Sequence, residues 1–523
     1  MKRWLDGWRG VVILFAVALV VYAIEALAWP LQRGRDSWDY WLYYLQLGDR
    51  HPVFWAVQVF RTPITPLVTG IPMTIGGARL LEAVMCVIYA AGIVGWAWAA
   101  RPFGRAAAIA TALVALVLLP YAAMFHEVSS DFLFGALLAP WAGLVVRAIY
   151  RPTGRVLVGL GLLTAVLTLT RPAGQVLVLV ACAVGLIARG AARSRVVRLG
   201  VVAAAAIVPL LLWASLNAIR YDDFTVARGG KAWVPFFKVL SLKTIDPANG
   251  PASRRLAAAI ERDVLTLPQY RRLHVNLHTY LRSPSNLEAI RLIALSDRDF
   301  GRASNYSVLF DTSWETIRHK PRPYIDSVAR TFKHFLWFRF SLEPVKREPP
   351  PPPGPAVLHV DGEPSPSPEA VSPMAQAARY GFVWCPTDAI DRCIFRHPEQ
   401  FTSAAQQRRY VELTDRVRDW NSQLPLENGR RWLAAKLGTL SSDLPTAPAV
   451  WLVIAAVGLL WRRSRGWPAP LGLGVAGLLV LFVHALSQEP QSEFSIPLTP
   501  MFALAAVAAL FGRRTDSATV PES

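Results

Sequence analysis

The sequence predicts a mainly α, polytopic membrane protein. Its expected form is a transmembrane bundle of about ten helices, with amphipathic interfacial helices in the first outer loop and a large extracytoplasmic loop domain. Hydrophobic residues make up 53% of the 523-residue chain and charged residues only 17%. With a mean hydropathy of +0.32, that is too apolar for a soluble protein of this length. Apolar runs fall at 11–29, 79–100, 106–124, 131–149, 156–170, 173–189, 198–217, 447–461, 468–487 and 493–512. The third observation is charge placement. The 55 Lys and Arg against 36 Asp and Glu give a net +19, a balance that can signal nucleic acid, but the arginines gather in short loops between apolar runs. Membrane lipids are therefore the expected surroundings, and nucleic acid is not an expected partner.

Threading the chain with its N-terminus inside puts Arg101 and Arg105, Arg151 and Arg155, Arg189 to Arg198, Arg462 to Arg465, and Arg513 and Arg514 on the cytoplasmic side. A miscount by one helix would move the 189–198 cluster outside, so the pattern supports count and orientation together. Both termini are then expected in the cytoplasm. The predicted organisation is an N-terminal transmembrane module over 1–217 containing a first outer loop at 30–77, an extracytoplasmic region over 218–446, a C-terminal three-helix module over 447–512, and a tail over 513–523.

The first apolar run, with Lys2, Arg3 and Arg9 before it and Ala26-Leu27-Ala28 at its end, has the outline of a signal peptide. At about 18 residues it exceeds a usual signal core of about 7 to 15, so an uncleaved anchor is expected. In the outer loop, Trp38, Trp41, Leu42 and Leu45, then Phe54, Trp55 and Val59, suggest short helices lying on the membrane surface. Ordinary interfacial anchoring accounts for the same aromatic residues. The soluble region shows helical stretches at 252–267 and 406–424 and a Pro-rich linker at 348–373. Its apolar stretch Phe332–Phe338 is suited to touching the membrane. Cys86 and Cys182 lie in apolar runs, whereas Cys385 and Cys393 suit either a disulfide in an oxidising compartment or two free thiols.

The candidate site residues all fall on the predicted outer side. Ionisable groups beside membrane helices are costly and mark function by default. Arg35-Asp36-Ser37-Trp38-Asp39-Tyr40 follows the first helix; Asp36 and Tyr40 share a helical face, with Asp39 expected to point elsewhere. Asp36 is open to two readings: an N-cap for an interfacial helix, or a base pinned at the membrane face that takes the proton of an attacking hydroxyl. His126-Glu127-Val128-Ser129-Ser130-Asp131 opens the fourth helix. Capping by Ser130 or Asp131 explains part of it, but not two acids and a His between two hydrophobic helices. If a divalent cation, Mg or Mn, takes part, Asp36, Glu127 and Asp131 are its expected ligands. Arg171-Pro172 breaks one long apolar stretch in two and sets a guanidinium near the surface, either snorkelling or holding phosphate oxygens. Arg61-Thr62-Pro63-Ile64-Thr65-Pro66 is expected to be a rigid turn before the second helix, with Arg61 available for phosphate. Glu493, opening the last helix, reads equally as cap or ligand.

Taken in order, these segments resemble the type C glycosyltransferase superfamily, in particular the bacterial relatives of protein O-mannosyltransferases and aminoarabinose transferases. The resemblance rests on Asp36 with Tyr40, the Arg61–Pro66 step, Ser130-Asp131, Leu169-Thr170-Arg171-Pro172, Asn217, the 319–324 segment and a last helix with Pro497 and Pro500. It covers about 1–230 and 447–512 and little of the soluble loop. Departures are Asp131 where Glu is frequent, Ile64-Thr65 where Gly-Tyr is common, and Glu493-Phe494 in place of an Arg-Tyr pair.

The resemblance implies a polyprenyl-phosphate sugar donor used at the outer face of a bacterial plasma membrane, with a glycan, lipid or protein as acceptor and inversion at the anomeric carbon. In that frame Asp36 is the base or acceptor-orienting residue, and Arg171 and Arg61 stabilise the leaving phosphate. Glu127 and Asp131, with Asp39, Tyr40 and His126 nearby, orient the donor. Two other classes compete: a flippase, which would need more ionisable groups inside helices than Glu25, Glu82 and His484 supply, and a ligase or polymerase using Arg271, Arg272, His274 and His278 of the outer loop.

Overall fold

A computed structural model describes residues 8–29, 31–34, 36–49, 52–187, 192–266, 270–271, 274–282, 286–338, 404–424, 430–442, 446–462, 467–487 and 494–511. The Pro-rich linker, Cys385, Cys393, Arg272, Glu493 and the 513–523 tail lie outside them. The protein is a mainly α membrane protein. Among the described residues, five helices are long and apolar enough to cross a membrane: Trp8–Ala28, Ile64–Phe103, Ser130–Tyr150, Arg193–Tyr221 and Pro468–Ser487. Shorter apolar helices at Arg105–Val117, Gly154–Thr170, Pro172–Ile187, Pro448–Trp461 and Ile496–Phe511 accompany them. Five and five match the ten apolar runs.

In chain order, α1 (Trp8–Ala28) leads to a two-residue strand β1 (Gln32–Arg33) and two short helices, α2 (Ser37–Leu45) and α3 (Trp55–Phe60). Then α4 (Ile64–Ala100) begins at Ile64 rather than at 79. The expected turn at Arg61–Pro66 is half realised: Arg61 to Pro63 precede the helix with Pro63 at its N-cap, whereas Ile64 to Pro66 form its first turn, where Pro66's missing N–H breaks no bond. The chain deviates inside α4 at Gly76 and at Gly77, whose φ of 64° and ψ of −159° suit glycine alone.

Next come α5 (Arg105–Val117), α6 (Leu119–Ala123), β2 (Glu127–Val128), α7 (Ser130–Tyr150), α8 (Gly154–Thr170), α9 (Val176–Ile187) and α10 (Ala192–Tyr221). Helix α4 packs on α1, α5 and α7, and α8 on α7 and α10. Several polar groups on these faces bond across the seams, which an apolar medium favours. Trp141 Nε1 donates to Thr164 Oγ1 at 2.9 Å, and the Tyr121 hydroxyl accepts from Trp96 Nε1 at 3.3 Å and donates to Gly135 O at 3.1 Å.

A second core lies outside the bundle, formed by Phe236, Ile260, Tyr270, Tyr306 and Leu309, with Phe60 of α3 packed against it. Its helices are α11 (Gly230–Ser241), α12 (Pro251–Asp263), α13 (Leu277–Leu281), α14 (Asn286–Asp299) and α15 (Ser307–His319). Helix α16 (Pro321–Trp337) leads back to the bundle. The amphipathic helix α17 (Ala404–Ser422) packs on α2 of the first outer loop, and α18 (Arg431–Ser442) packs on α1 and α6. The bundle then closes with α19 (Pro448–Arg462), α20 (Pro468–Ser487) and α21 (Thr499–Phe511).

The seating of the outer helices is specific. Tyr324 of α16 donates to Leu486 O at 3.0 Å, and Phe332 meets Phe482 of α20 edge-on at 6.0 Å, so the apolar 332–338 stretch does reach a membrane helix. From α17, Trp420 packs edge-on against Trp41 at 5.7 Å and Tyr410 against Phe54 at 5.1 Å.

Candidate functional site

The site forms where the loop after α1, the start of α4, the start of α7 and the end of α8 meet at one end of the bundle. Two links hold these segments together. Strands β1 and β2 pair in parallel, with Gln32 opposite Glu127 and Arg33 opposite Val128; a side chain at Gly34 would strike the Val128 carbonyl. Thr65 Oγ1 of α4 donates to Thr170 O at the end of α8 at 3.2 Å.

Asp36 does occupy the N-cap of α2, but its side chain makes no capping hydrogen bond. It turns to Arg61, which reaches Asp36 at 2.9 and 3.1 Å and Asp39 at 2.5 Å through Nη2 and 3.0 Å through Nε. Asp39 therefore points the same way as Asp36, against the expectation that it would point elsewhere. A spacing of three on a helix shares a face almost as well as one of four. The Arg61 guanidinium lies 5.6 Å from the Tyr40 ring centroid. The Tyr40 hydroxyl bonds the side chain of Ser130, and burial, then the Asp36 carboxylate, push its phenol above its ordinary value.

Deeper in, Arg171 ion-pairs with Asp131. Arg171 is the C-cap of α8, in extended geometry because Pro172 follows, while Asp131 sits in the first turn of α7, whose N-cap is Ser129. The two are 12% and 9% exposed, against 29% for both Arg61 and Asp36. The Asp36 pair thus faces the opening and the Asp131 pair floors the site. The Arg171 guanidinium also lies 4.9 Å from the Phe494 ring, which stacks on His484 at 4.4 Å. His484 Nδ1 lies 2.8 Å from Val480 O, a contact that assigns a proton to Nδ1.

Phe494 and His484 were missed as site residues. The segment 493–500 drew attention through Glu493, and an aromatic ring gives no charge signal to single it out. His126 is buried, its ring 5.8 Å from Trp29, and burial pushes it down to about 3 despite a hydrogen bond with the Trp29 backbone. It is neutral at physiological pH and belongs to the wall rather than to the charged cluster. Glu127 joins through the β1–β2 pairing.

Asp36 and Asp131 are each paired with a guanidinium group, and among the described residues no three His, Cys, Asp or Glu side chains come together as a cation site. Arg271, His274 and His278 of the extramembrane region are exposed and make no part of the cluster.

No protein family model and no curated protein matches the chain. Among solved structures, the chain is similar to the crystal structure of ArnT from Cupriavidus metallidurans bound to undecaprenyl phosphate, with 14% identity and a TM-score of 0.34 over 97% of this chain and 78% of that one. It is similar to the apo form of the same protein at 16% identity and a TM-score of 0.32, over 96% and 77%. Superpositions this loose do not bear on the chemistry.

Proposed function

We propose that this protein is an integral-membrane glycosyltransferase of the type C group, moving a sugar from a polyprenyl-phosphate donor to an acceptor hydroxyl at the outer face of the membrane. The acceptor class is a cell-envelope glycan, lipid or protein. The observation that carries this reading is the convergence of two carboxylate–arginine pairs, Asp36 with Arg61 and Asp131 with Arg171, on one end of a membrane bundle through the Tyr40–Ser130 bond. A lipid phosphate leaving group needs cationic donors at the depth of the headgroups. A hydroxyl nucleophile needs an acceptor for its proton, and both lie here.

In this reading the acceptor oxygen forms a bond to the anomeric carbon as the bond to the donor phosphate breaks, with inversion. The phosphate leaves with the electron pair, and the hydroxyl proton passes to Asp36. Arg61 aims Asp36. Because glycosyl transfer passes through an oxocarbenium-like state, the hydroxyl proton is lost late, so a carboxylate held by an arginine suffices to accept it. Arg171 offers five N–H donors in a rigid fork, more than the Asp131 carboxylate takes up, so it can hold leaving-phosphate oxygens while Asp131 fixes its orientation.

The test is release of polyprenyl phosphate by the purified protein supplied with polyprenyl-phosphate sugars and membrane acceptors. Asp36→Asn is expected to lower turnover about 10²- to 10⁴-fold with donor binding retained. Arg171→Ala should weaken both donor binding and turnover, with Arg171→Lys recovering little because the fork is lost. Unchanged turnover in Asp36→Asn would remove the proposed base.

A further inference from the structure

The ion pair with Asp131 is one constraint on the Arg171 guanidinium. A long side chain held by one partner still turns about it, and its remaining N–H donors then have no fixed direction. A second contact supplies that direction. The guanidinium carbon of Arg171 lies over the Phe494 ring, 4.9 Å from its centroid. All the N–H groups of a guanidinium point outward in its own plane, so a ring against its face consumes none of them.

The Phe494 ring is itself buried and held from several sides. The His484 ring of α20 stacks on it at 4.4 Å with 28° between the planes, and the contact of His484 Nδ1 with Val480 O at 2.8 Å keeps the imidazole from turning. Phe335 of α16, fully buried, meets it edge-on at 6.0 Å. Just after Phe494 the chain makes a buried single turn, Ile496–Leu498, in which the Leu498 N–H donates to Ser495 O at 3.1 Å. That turn packs on α7, where a Cβ added at Gly135 would lie 3.3 Å from Pro497 Cβ. Helix α7 carries Asp131 in its first turn. The two groups that hold Arg171, a carboxylate and a ring, are thus mounted on segments packed against each other.

We infer that Phe494 is a positioning residue for phosphate binding: its aromatic face sets the plane of Arg171, so that in-plane donors beyond those engaged by Asp131 are presented to the lipid phosphate. This rests on the reading of Arg171 as the group that holds the leaving phosphate. Phe494 acts through Arg171 and makes no contact with the donor. The attraction of a cation to an aromatic face depends on the electron density of that face and grows where water is excluded. A ring that only filled space would serve equally well whatever its electron density.

The experiment measures binding of farnesyl phosphate, with farnesol as the uncharged control, to the full-length protein in nanodiscs. Phe494 is replaced in turn by mono-, di- and trifluorophenylalanine, which keep the ring and nearly its size while withdrawing electron density from its face. Affinity for farnesyl phosphate is expected to fall stepwise along the series, ending about two- to thirtyfold below that of the unmodified protein. Farnesol binding and the thermal midpoint should not change. Phe494→Tyr should retain the affinity and Phe494→Leu should lose it. In an Arg171→Ala background the fluorinated series should be level, because the group through which the ring acts is gone. A level series in the protein that keeps Arg171, when Arg171→Ala itself has lost binding, overturns the role of Phe494 and leaves the phosphate role of Arg171 standing. A stepwise fall that persists without Arg171 overturns it as well. Should Arg171→Ala bind farnesyl phosphate as tightly as the unmodified protein, the phosphate reading itself fails, and the inference with it. The fluorinated proteins keep the native packing, so the series decides the matter even where Phe494→Leu fails to fold.

Discussion

Asp36 stands at an N-cap and leaves the cap unmade, because a guanidinium 25 residues further along offers a stronger partner than a backbone N–H. Spacing placed Asp36 and Tyr40 on one helical face but set Asp39 apart from it, and did not show that Arg61 would fold back over that face, since nothing local to either segment encodes the approach. The same limit applies to Asp131: the sequence offered Ser130 or Asp131 as the cap, whereas Ser129 is the N-cap and Asp131 lies in the first turn, and its pairing with Arg171 was not legible. His126 shows a different gap: a histidine in an acidic loop suggests a charged role, and only burial reveals a neutral one. With a folded value near 3 against about 6.5 in the unfolded chain, the unfolded form takes up its proton first as pH falls. Stability contributed by neutral His126 is thus intact above about pH 6.5 and declines toward pH 3, at up to about 1.4 kcal/mol per pH unit. Between pH 6.5 and 5 this amounts to about 2 kcal/mol. His126→Phe should flatten that part of the profile. Unfolding midpoints in nanodiscs at pH 7 and pH 5 check this, and an equal acid-induced drop in both proteins would exclude His126 as the source.

Helix α4 is the element whose extent the sequence concealed. Its membrane part was plain from the apolar run 79–100, but the Arg61–Pro66 prolines and the Gly76-Gly77 pair read as loop. Proline is tolerated in a first turn and glycine at a kink, so breaker residues marked a bent helix rather than its absence. The bend sets the outer arm, which starts just after Arg61, at an angle to the crossing part. Gly77 holds it: Gln423 reaches over from beyond α17 and accepts from Ala78 N at 3.3 Å, and a Cβ on Gly77 would lie 2.5 Å from that same Gln423 oxygen. Gly77→Ala is expected to destabilise by about 1–3 kcal/mol from backbone strain alone, lowering the thermal midpoint in nanodiscs. Gln423→Ala in the same chain removes the steric contact but not the strain, so it should restore only a small part. Full recovery in the double variant would show that the contact, not the φ of Gly77, is what matters.

At the scale of the whole molecule, the bundle and the extramembrane region are joined through Arg228. Composition and apolar runs marked two regions yet gave no sign of how they meet, because the join is made by buried charges distant in sequence. Arg228 is 4% exposed. It donates to Asp223 at 2.5 Å, to Asp297 at 2.6 Å, to Arg302 O at 2.7 Å and to the Tyr306 hydroxyl at 2.9 Å. Its backbone N–H donates to Val59 O at 2.7 Å, two residues before Arg61, and Phe60 packs against Trp233 at 4.7 Å. The extramembrane region therefore grips the chain immediately upstream of the arginine that holds Asp36 and Asp39. Removing one partner of such a buried network costs about 3–5 kcal/mol, because the carboxylates are left uncompensated. In Arg228→Met that cost falls on the contact between the regions, where the network lies, while the apolar bundle core is untouched. The expected outcome is faster proteolysis within 218–338, lower turnover in the proposed transfer, and little change in the unfolding of the bundle helices. Adding Asp223→Asn removes one stranded charge and should recover part of the protease resistance. Proteolysis and turnover that stay at the unmodified level in Arg228→Met would mean that the apolar contacts of Phe60 and Trp233 are enough to set the position of Arg61.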